Sequence, residues 1–208
     1  TAYRFYGGIG VRKLEIGEIK TTKGVQLSNM TLRKPAGTNY QYRDLRDWVK
    51  MVADFGELRV LKGADWNLEI GAITEVFQRP QHWSDQARPC FLFDEIKDYP
   101  AGFRVLSGIL SSPRRLALTM GLEEIVTERL ALIKLVREKL KHAGTILPRF
   151  VKRGPILENI DAGNKVDLTK FPVPIWHEED CGRYIGTGSI TITRDPDEGW
   201  VNIGTYRV

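Results

Sequence analysis

The stretch WVNIGTYRV, Trp200 to Val208, holds polar side chains whose types suit the binding of an anion. An Asn side-chain carbonyl, as at Asn202, is a hard oxygen ligand for a divalent ion that also bridges to phosphate. The guanidinium of Arg207 is a planar fork of donors that pairs with a carboxylate or a phosphate. Asn202, Tyr206 and Arg207 are close enough along the chain that they could face one common ligand.

A regular β-strand would separate these side chains. Because alternate residues point to opposite faces, Asn202, Gly204 and Tyr206 share one face and Arg207 lies on the other. A bulge or bend, which Gly204 permits, is needed to direct Asn202 and Arg207 to one ligand. Taken alone, the pattern favours an edge strand with exposed polar residues over a binding site.

Other motifs carry less chemistry. HEEDC, His177 to Cys181, lacks the HExxH spacing of a helical metal site, and a solvated loop is the favoured interpretation. His142, near a predicted helix end, is expected to complement the helix dipole. GTGS at 186–189 has no following helix, and the sequence contains no P-loop, nucleotide-binding GxGxxG or GxSxG motif.

Upstream of these motifs, the sequence predicts alternating helices and strands. NYQYRDLRDWVKMVADFGEL predicts a helix that ends at Gly56, and ELRVL, RPCFLFDEI and AGFRVLSGIL predict strands. DWNLEIGAITEVFQR predicts a second helix with Asp65 or Asn67 as its N-cap. The apolar stripe of the first helix consists of Tyr42, Leu45, Trp48, Val49 and Val52.

Two more helices are predicted before the chain changes character. Ser112 suits an N-cap, Pro113 the first helical position and Gly121 the end of a short helix. LEEIVTERLALIKLVREKLKHAG predicts the longest helix, ending at Gly144. Its expected apolar face consists of Val126, Leu130, Ile133, Val136 and Leu140.

The sequence after this helix predicts a linker and then β-structure. A proline-punctuated linker leads to RYIGTGSITITRD and WVNIGTYRV, which DPDEG is expected to join as a hairpin. We therefore predict an α+β fold: an extension of unclear role at 1–37, an N-terminal α/β domain at 38–145, and a linker with the start of a β-domain at 146–208. Because a lone two-stranded hairpin is marginal in water, this second domain looks incomplete.

Composition indicates an ordinary globular protein. The 208 residues are 42% apolar and 27% charged, and no apolar run approaches the roughly 18 residues of a membrane helix. With no signal-peptide pattern and no CxxC pairing of Cys90 or Cys181, reduced thiols and a cytoplasmic location are expected. The net charge of +5 favours anionic partners, but the basic residues are scattered without interleaved aromatics, which argues against nucleic acid.

Five segments together resemble the UbiD-type decarboxylases, which use prenylated flavin mononucleotide (FMN). They are YRDLRDWVKMVADFGELRVL, DWNLEIGAITEVFQ, GFRVLSG with SSPRRLALTMGL, GNKVDLTKFPVPIWHEEDCGRYIGTGSITITRDPDEG and NIGTYRV. The resemblance spans roughly residues 40–208 and implies a flavin-reductase-like split β-barrel begun in the second domain. It also implies reversible decarboxylation of an aromatic, heteroaromatic or α,β-unsaturated carboxylic acid by a homo-oligomeric enzyme.

The resemblance assigns roles to residues of the NxGxYR stretch. Asn202 is implied as a ligand of a divalent metal, usually manganese, that holds the cofactor phosphate, with potassium as a further candidate ion. Thr205, Tyr206 and Arg207 are implied to contact the prenylated flavin. Arg207 is also implied as the middle member of a Glu-Arg-Glu catalytic network, in which it orients the substrate carboxylate.

This sequence departs from the family pattern in its length. Family members are more than twice as long, and their other metal ligands, a His and a Glu, and both catalytic glutamates lie downstream of the Arg. We expect this chain to be the N-terminal part of a longer polypeptide, or to be completed by another chain, and to be inactive by itself. The alternatives are a non-catalytic subunit or cofactor-binding assembly module, and a basic nucleic-acid binder.

Overall fold

A computed structural model describes residues 42–79, 88–122, 128–144, 147, 149–186 and 188–208, all within one compact unit. The helices are α1 (Leu45–Asp54), α2 (Glu69–Gln78), α3 (Pro113–Thr119) and α4 (Arg129–Lys141). The strands are β1 (Leu58–Lys62), β2 (Cys90–Asp94), β3 (Val105–Ser107), β4 (Ile190–Arg194) and β5 (Val201–Thr205). This mixture confirms the α+β class. The predicted extension at 1–37 lies outside the described residues.

The first three strands form one sheet in the order β1-β2-β3. Strand β1 pairs with β2 in parallel, and β2 pairs with β3 antiparallel. A parallel pair needs a crossover connection, and α2 lies in the stretch that joins β1 to β2. Central strand β2 is buried on both faces, which explains the nearly unbroken apolar run CFLF.

Each face of β2 contributes to a separate apolar cluster. Cys90 packs with helix residues Trp48 and Val52 on one side of the sheet. Phe91 and Phe93 pack on the other side with Ile70 of α2. The indole N–H of Trp48 donates to the hydroxyl of Thr119 at 3.1 Å, so this buried polar group is satisfied.

Helix α1 lies where it was predicted, but the predicted N-cap of α2 is wrong. Neither Asp65 nor Asn67 caps α2: the N-cap is Leu68, with a positive φ of 68° and no side-chain cap hydrogen bond. The carboxylate of Asp65 instead accepts from the backbone N–H of Asn67 at 2.9 Å and pairs with Lys97 at 2.5 Å. The capping residue types are present, but a loop uses them before the helix begins.

Helix α3 begins as predicted and carries a buried ion pair. Ser112 caps it, and Pro113 occupies the first turn. Arg115 is fully buried and donates to Glu57 at 2.6 Å, and its other N–H groups donate to three backbone carbonyl oxygens. The Ser112 hydroxyl also donates to Glu57 at 2.6 Å. A buried charge is tolerated where its donors are satisfied in this way.

Helix α4 buries only part of the face that was expected. Leu130, Ile133 and Leu140 are exposed, whereas Leu132 is buried, with Leu135 and Val136 packed against the same cluster. Val126, the other residue of the predicted face, lies outside the described residues. Val136 is therefore the described residue of the expected face that packs as predicted. The helix contains more apolar positions than its contact surface covers, so periodicity alone selected most of the set wrongly. Similarly, Leu45 of α1 lies in the predicted stripe yet is 58% exposed.

Strands β4 and β5 form the predicted antiparallel hairpin, in which Ile192 pairs with Ile203. Side chains at alternate positions share one face, and on one side these are apolar and exposed. They are Ile190, Ile192, Val201 and Ile203. Among the described residues, no helix is long and apolar enough to cross a membrane.

A segment preceding the hairpin, residues 171–184, docks on the start of α2; we call it the docking segment. Ile175 donates its N–H to the carbonyl of Trp66 and accepts from the N–H of Leu68, both at 3.1 Å. The next residue, Trp176, approaches α2 at Gly71. A Cβ atom at position 71 would lie 2.1 Å from the Trp176 carbonyl oxygen, so only glycine fits there.

We expect Gly71→Ala to destabilise the protein by about 1–3 kcal/mol, because a backbone atom blocks the added methyl group. The change would otherwise favour the helix by roughly 1 kcal/mol, so a net loss reports the contact with Trp176. Urea unfolding measures the difference. Gly144→Ala, where nothing lies within 4 Å, is the control and should stay close to the wild type. Equal stability of the two variants would contradict the prediction.

The two cysteines are free, Cys90 buried and Cys181 exposed. Burial raises the pKa of the Cys90 thiol to about 11, and the charge of Arg115 opposes this rise only in part. Because the thiolate is the reactive form, iodoacetamide at pH 8 should label Cys181 and leave Cys90 unmodified until the protein is denatured. Peptide mass spectrometry checks this, with Cys181→Ser as the control. Rapid labelling of Cys90 in the native protein would contradict it.

Candidate functional site

Asn202 and Tyr206 come together on one face of β5. The Asn202 amide N–H donates to the Tyr206 hydroxyl at 3.1 Å. The Tyr206 ring folds back over Gly204, where a Cβ atom would lie 2.7 Å from the ring. Glycine at this position therefore makes room for the ring, and the hydroxyl then fixes the orientation of the Asn202 amide.

Arg207 lies beyond the end of β5 and contacts the docking segment. Its Nη1 donates to Oδ1 of Asp180 at 3.4 Å. Its guanidinium also lies over the ring of Tyr184, with Cζ 4.8 Å from the ring centroid. The side chain stays 54% exposed. One donor and one face of the guanidinium are thus engaged, while the remainder can reach a ligand.

The pairing between the two arms of the hairpin shifts by one residue just before Arg207. Ile190 pairs with Thr205, whereas Val208 exchanges backbone hydrogen bonds with Gly186 at 2.9 and 3.3 Å. Three residues separate Gly186 from Ile190, but two separate Thr205 from Val208. The bulge or bend that Gly204 would permit is not found at Gly204 itself, which pairs in register with Thr191.

The structure brings some of the predicted site residues together and keeps others apart. Asn202 contacts Tyr206, and Thr205 is the exposed last residue of β5. Within the described hairpin, no hydrogen bond joins Asn202 to Arg207, whose partners come from the docking segment instead.

Asp180 and Tyr184 were missed by sequence reasoning. Asp180 belongs to HEEDC, which we expected to be a solvated loop. His177, Glu178 and Glu179 are exposed, but the Asp180 side chain is only 10% exposed. Arg207 lies 27 positions away from Asp180, so no local pattern signals the contact.

A second arginine anchors the docking segment on the α/β layer. The Arg183 guanidinium stacks on the ring of Trp66, with Cζ 3.4 Å from the centroid, and donates to the hydroxyl of Tyr99. That hydroxyl donates in turn to the carbonyl of Thr169 at 3.0 Å. These groups border an open cleft of about 460 Å³. Cation–π contacts of this kind fix the plane of the guanidinium.

The donor set near Asn202 fits a metal ion only in part. Asn202 is half-buried, and because its N–H donates to Tyr206, its Oδ1 carbonyl is left as a hard oxygen donor. Over the described part of the chain, no three His, Cys, Asp or Glu residues are grouped closely enough to hold a metal ion. Asn202 can therefore contribute one ligand to a site whose other ligands lie elsewhere.

Two family models match this chain. The model described as the 3-octaprenyl-4-hydroxybenzoate carboxy-lyase N-terminal domain matches residues 50–133. The model described as the Rift-related domain of the same carboxy-lyase, UbiD, matches residues 149–208.

Similar proteins agree with these matches. The chain is 39% identical over 166 residues to a pyrrole-2-carboxylic acid decarboxylase from Pseudomonas aeruginosa, covering 76% of this chain and 32% of that protein. It is 29% identical over 187 residues to an uncharacterized protein from Aquifex aeolicus, covering 81% of this chain and 36% of that protein. The chain thus spans about a third of the length of these relatives.

Solved structures give the same result. Vanillic acid decarboxylase from Sedimentibacter hydroxybenzoicus in its open form matches with a TM-score of 0.64 and 26% identity, over 80% of this chain and 34% of that chain. Its closed form matches with a TM-score of 0.63 and 27% identity, over 80% and 35%. The two family models, in this order along the chain, and these relatives show that the chain belongs to the UbiD family.

Proposed function

We propose that this chain supplies part of a reversible, non-oxidative decarboxylase that acts on an aromatic, heteroaromatic or α,β-unsaturated carboxylic acid and uses prenylated FMN. The observation that carries the proposal is the match to both UbiD models, supported by two similar proteins that are named as decarboxylases. Pyrrole-2-carboxylate and vanillate are therefore the first substrates to assay. Cytoplasmic location and homo-oligomeric assembly stay predictions.

We also propose the domain division 38–145 and 146–208, with the β4–β5 hairpin as the first strands of a split β-barrel. The exposed apolar face of the hairpin supports this proposal, since further strands would cover it. The rest of the barrel, with the remaining metal ligands and the catalytic glutamates, is then supplied by the same polypeptide or by another chain.

Within this proposal, Asn202 is a ligand of the divalent metal, for which manganese is the first candidate and potassium a further one. The hydrogen bond from its N–H to Tyr206 supports the role, because it leaves the carbonyl oxygen for the ion. Thr205 and Tyr206 border the same strand end and would contact the prenylated FMN. When bound, the cofactor supplies the electron sink for carbon dioxide loss.

Arg207 is proposed as the catalytic residue of this chain. Its exposed donors can form a two-point pair with the substrate carboxylate and so fix the orientation of the bond that breaks. The same positive charge would favour the ionised form of a neighbouring glutamate. That glutamate, supplied from outside this chain, would accept the proton of the substrate's carboxylic acid and then donate it to the carbon that has lost carbon dioxide.

In the complete enzyme, Arg207→Ala should abolish carbon dioxide release while flavin stays bound, because the variant loses substrate orientation but retains the metal ligand. Carbon dioxide release and flavin absorbance are measured on the same preparation. Arg137→Ala, an exposed arginine of α4, is the control and should retain activity. Full turnover by Arg207→Ala would contradict the catalytic assignment.

Gly204→Ala should weaken manganese binding to the complete enzyme by about threefold to tenfold, the effect of one lost hydrogen bond. The added methyl group displaces the Tyr206 ring and releases the Asn202 amide. Tyr206→Phe, which removes only the hydroxyl, should weaken binding similarly, whereas Gly188→Ala, with open space around it, should not. Calorimetric titration with manganese measures all three. Unchanged affinity in both Gly204→Ala and Tyr206→Phe would contradict the role of this contact.

A further inference from the structure

We infer that Asp180 is a positioning residue for Arg207 and that the N-terminal α/β layer holds Asp180 in place. The inference rests on the proposed function, because Arg207 is the catalytic group that it serves. It gives a role to the α/β layer, which contributes none of the proposed catalytic or cofactor-binding residues.

A tight turn of its own fixes the Asp180 carboxylate. The backbone N–H of Asp180 donates to the carbonyl of His177 at 3.1 Å, and the N–H of His177 donates to Oδ2 of Asp180 at 3.1 Å. The His177 imidazole lies 3.6 Å from the same oxygen, which adds an ionic contact when the ring is protonated. Oδ2 is thus occupied by the turn, and Oδ1 is left for Arg207.

The turn is tied to the α/β layer on both sides. Before it, Ile175 forms two backbone hydrogen bonds with the chain that enters α2. After it, Arg183 stacks on Trp66. Few residues separate either anchor from Asp180, so the carboxylate has little freedom to move relative to the layer.

Asp180 and Tyr184 together fix the Arg207 guanidinium. The carboxylate takes one N–H at 3.4 Å, and the Tyr184 ring lies against one face with Cζ at 4.8 Å. A planar group held by one edge and one face has a defined orientation, and its other donors can then meet a planar carboxylate. Removing the Asp180 charge should let the exposed guanidinium rotate away.

The test compares Asp180→Asn with the wild type in the complete enzyme loaded with metal and cofactor. The asparagine keeps the shape of the side chain but removes its charge. We expect kcat/KM to fall by roughly 10- to 100-fold, mainly in kcat, because a small displacement of an orienting group has an effect of this size. The control is Glu179→Gln, which removes the same charge from an exposed neighbour and should leave kcat/KM unchanged.

A second comparison separates positioning from a general structural role. In an Arg207→Lys background, which lacks the planar guanidinium, Asp180→Asn should lower kcat/KM by a much smaller factor than it does in the wild type. A merely structural role predicts the same loss in both backgrounds, and that result would overturn the inference. Tyr184→Leu, which removes the ring without altering the turn, should also lower kcat. This variant replaces Asp180→Asn in the test if Asp180→Asn does not fold.

Crystal structures of the complete wild-type enzyme and of Asp180→Asn test the inference without any measurement of activity. The inference expects the Arg207 guanidinium to leave the Tyr184 ring in the variant. A guanidinium that stays in place would overturn the inference. A wild-type enzyme that releases no carbon dioxide from any tested acid would overturn the proposed function instead, and the crystal structures would still decide the role of Asp180.

Discussion

Helix α2 and the backbone at Trp176 approach so closely that position 71 has room for a hydrogen atom but not for a methyl group. This contact brings the docking segment onto the α/β layer, where Ile175 extends it through backbone hydrogen bonds. The features that surround Arg207 follow in sequence from there: the turn at Asp180, the stacked Arg183 and the ring of Tyr184. The close packing at Gly71 therefore contributes to where the Asp180 carboxylate lies beside Arg207.

Arg183 of the docking segment and Arg207, which contacts that segment, are held by the same two kinds of contact. Arg183 lies on an aromatic ring and donates to a phenol, and Arg207 lies on an aromatic ring and donates to a carboxylate. An ammonium group has no plane to stack, so a lysine could not be oriented in either place. Their roles differ, because Arg183 joins two parts of the fold, whereas Arg207 keeps donors directed towards solvent.

The elements that sequence could predict are those whose signals lie within a few residues. Ser112 and Pro113 mark a helix start by local hydrogen bonding and fixed geometry, and the turn DPDEG marks the hairpin. The predicted N-cap of α2 and most of the predicted buried face of α4 were wrong, because loop contacts and a limited partner surface decide them. Asp180 was missed for the same reason, because its partner Arg207 lies 27 positions away along the chain. Asn202 and Arg207 were identified through the family resemblance, and their roles stay proposals.

The hydroxyl of Ser112 has a consequence for how the protein folds. It accepts from the N–H of Arg115 at 3.1 Å in the first turn of α3 and donates to the carboxylate of Glu57 at 2.6 Å. The backbone carbonyl of Glu57 in turn accepts from Cys90 at 2.8 Å, where the parallel pairing of β1 and β2 begins. Glu57 thus links the two elements, because its carboxylate accepts from the start of α3 and its backbone carbonyl accepts from the first residue of β2. Helix initiation, burial of the charge pair and parallel pairing are therefore expected to form as one cooperative unit.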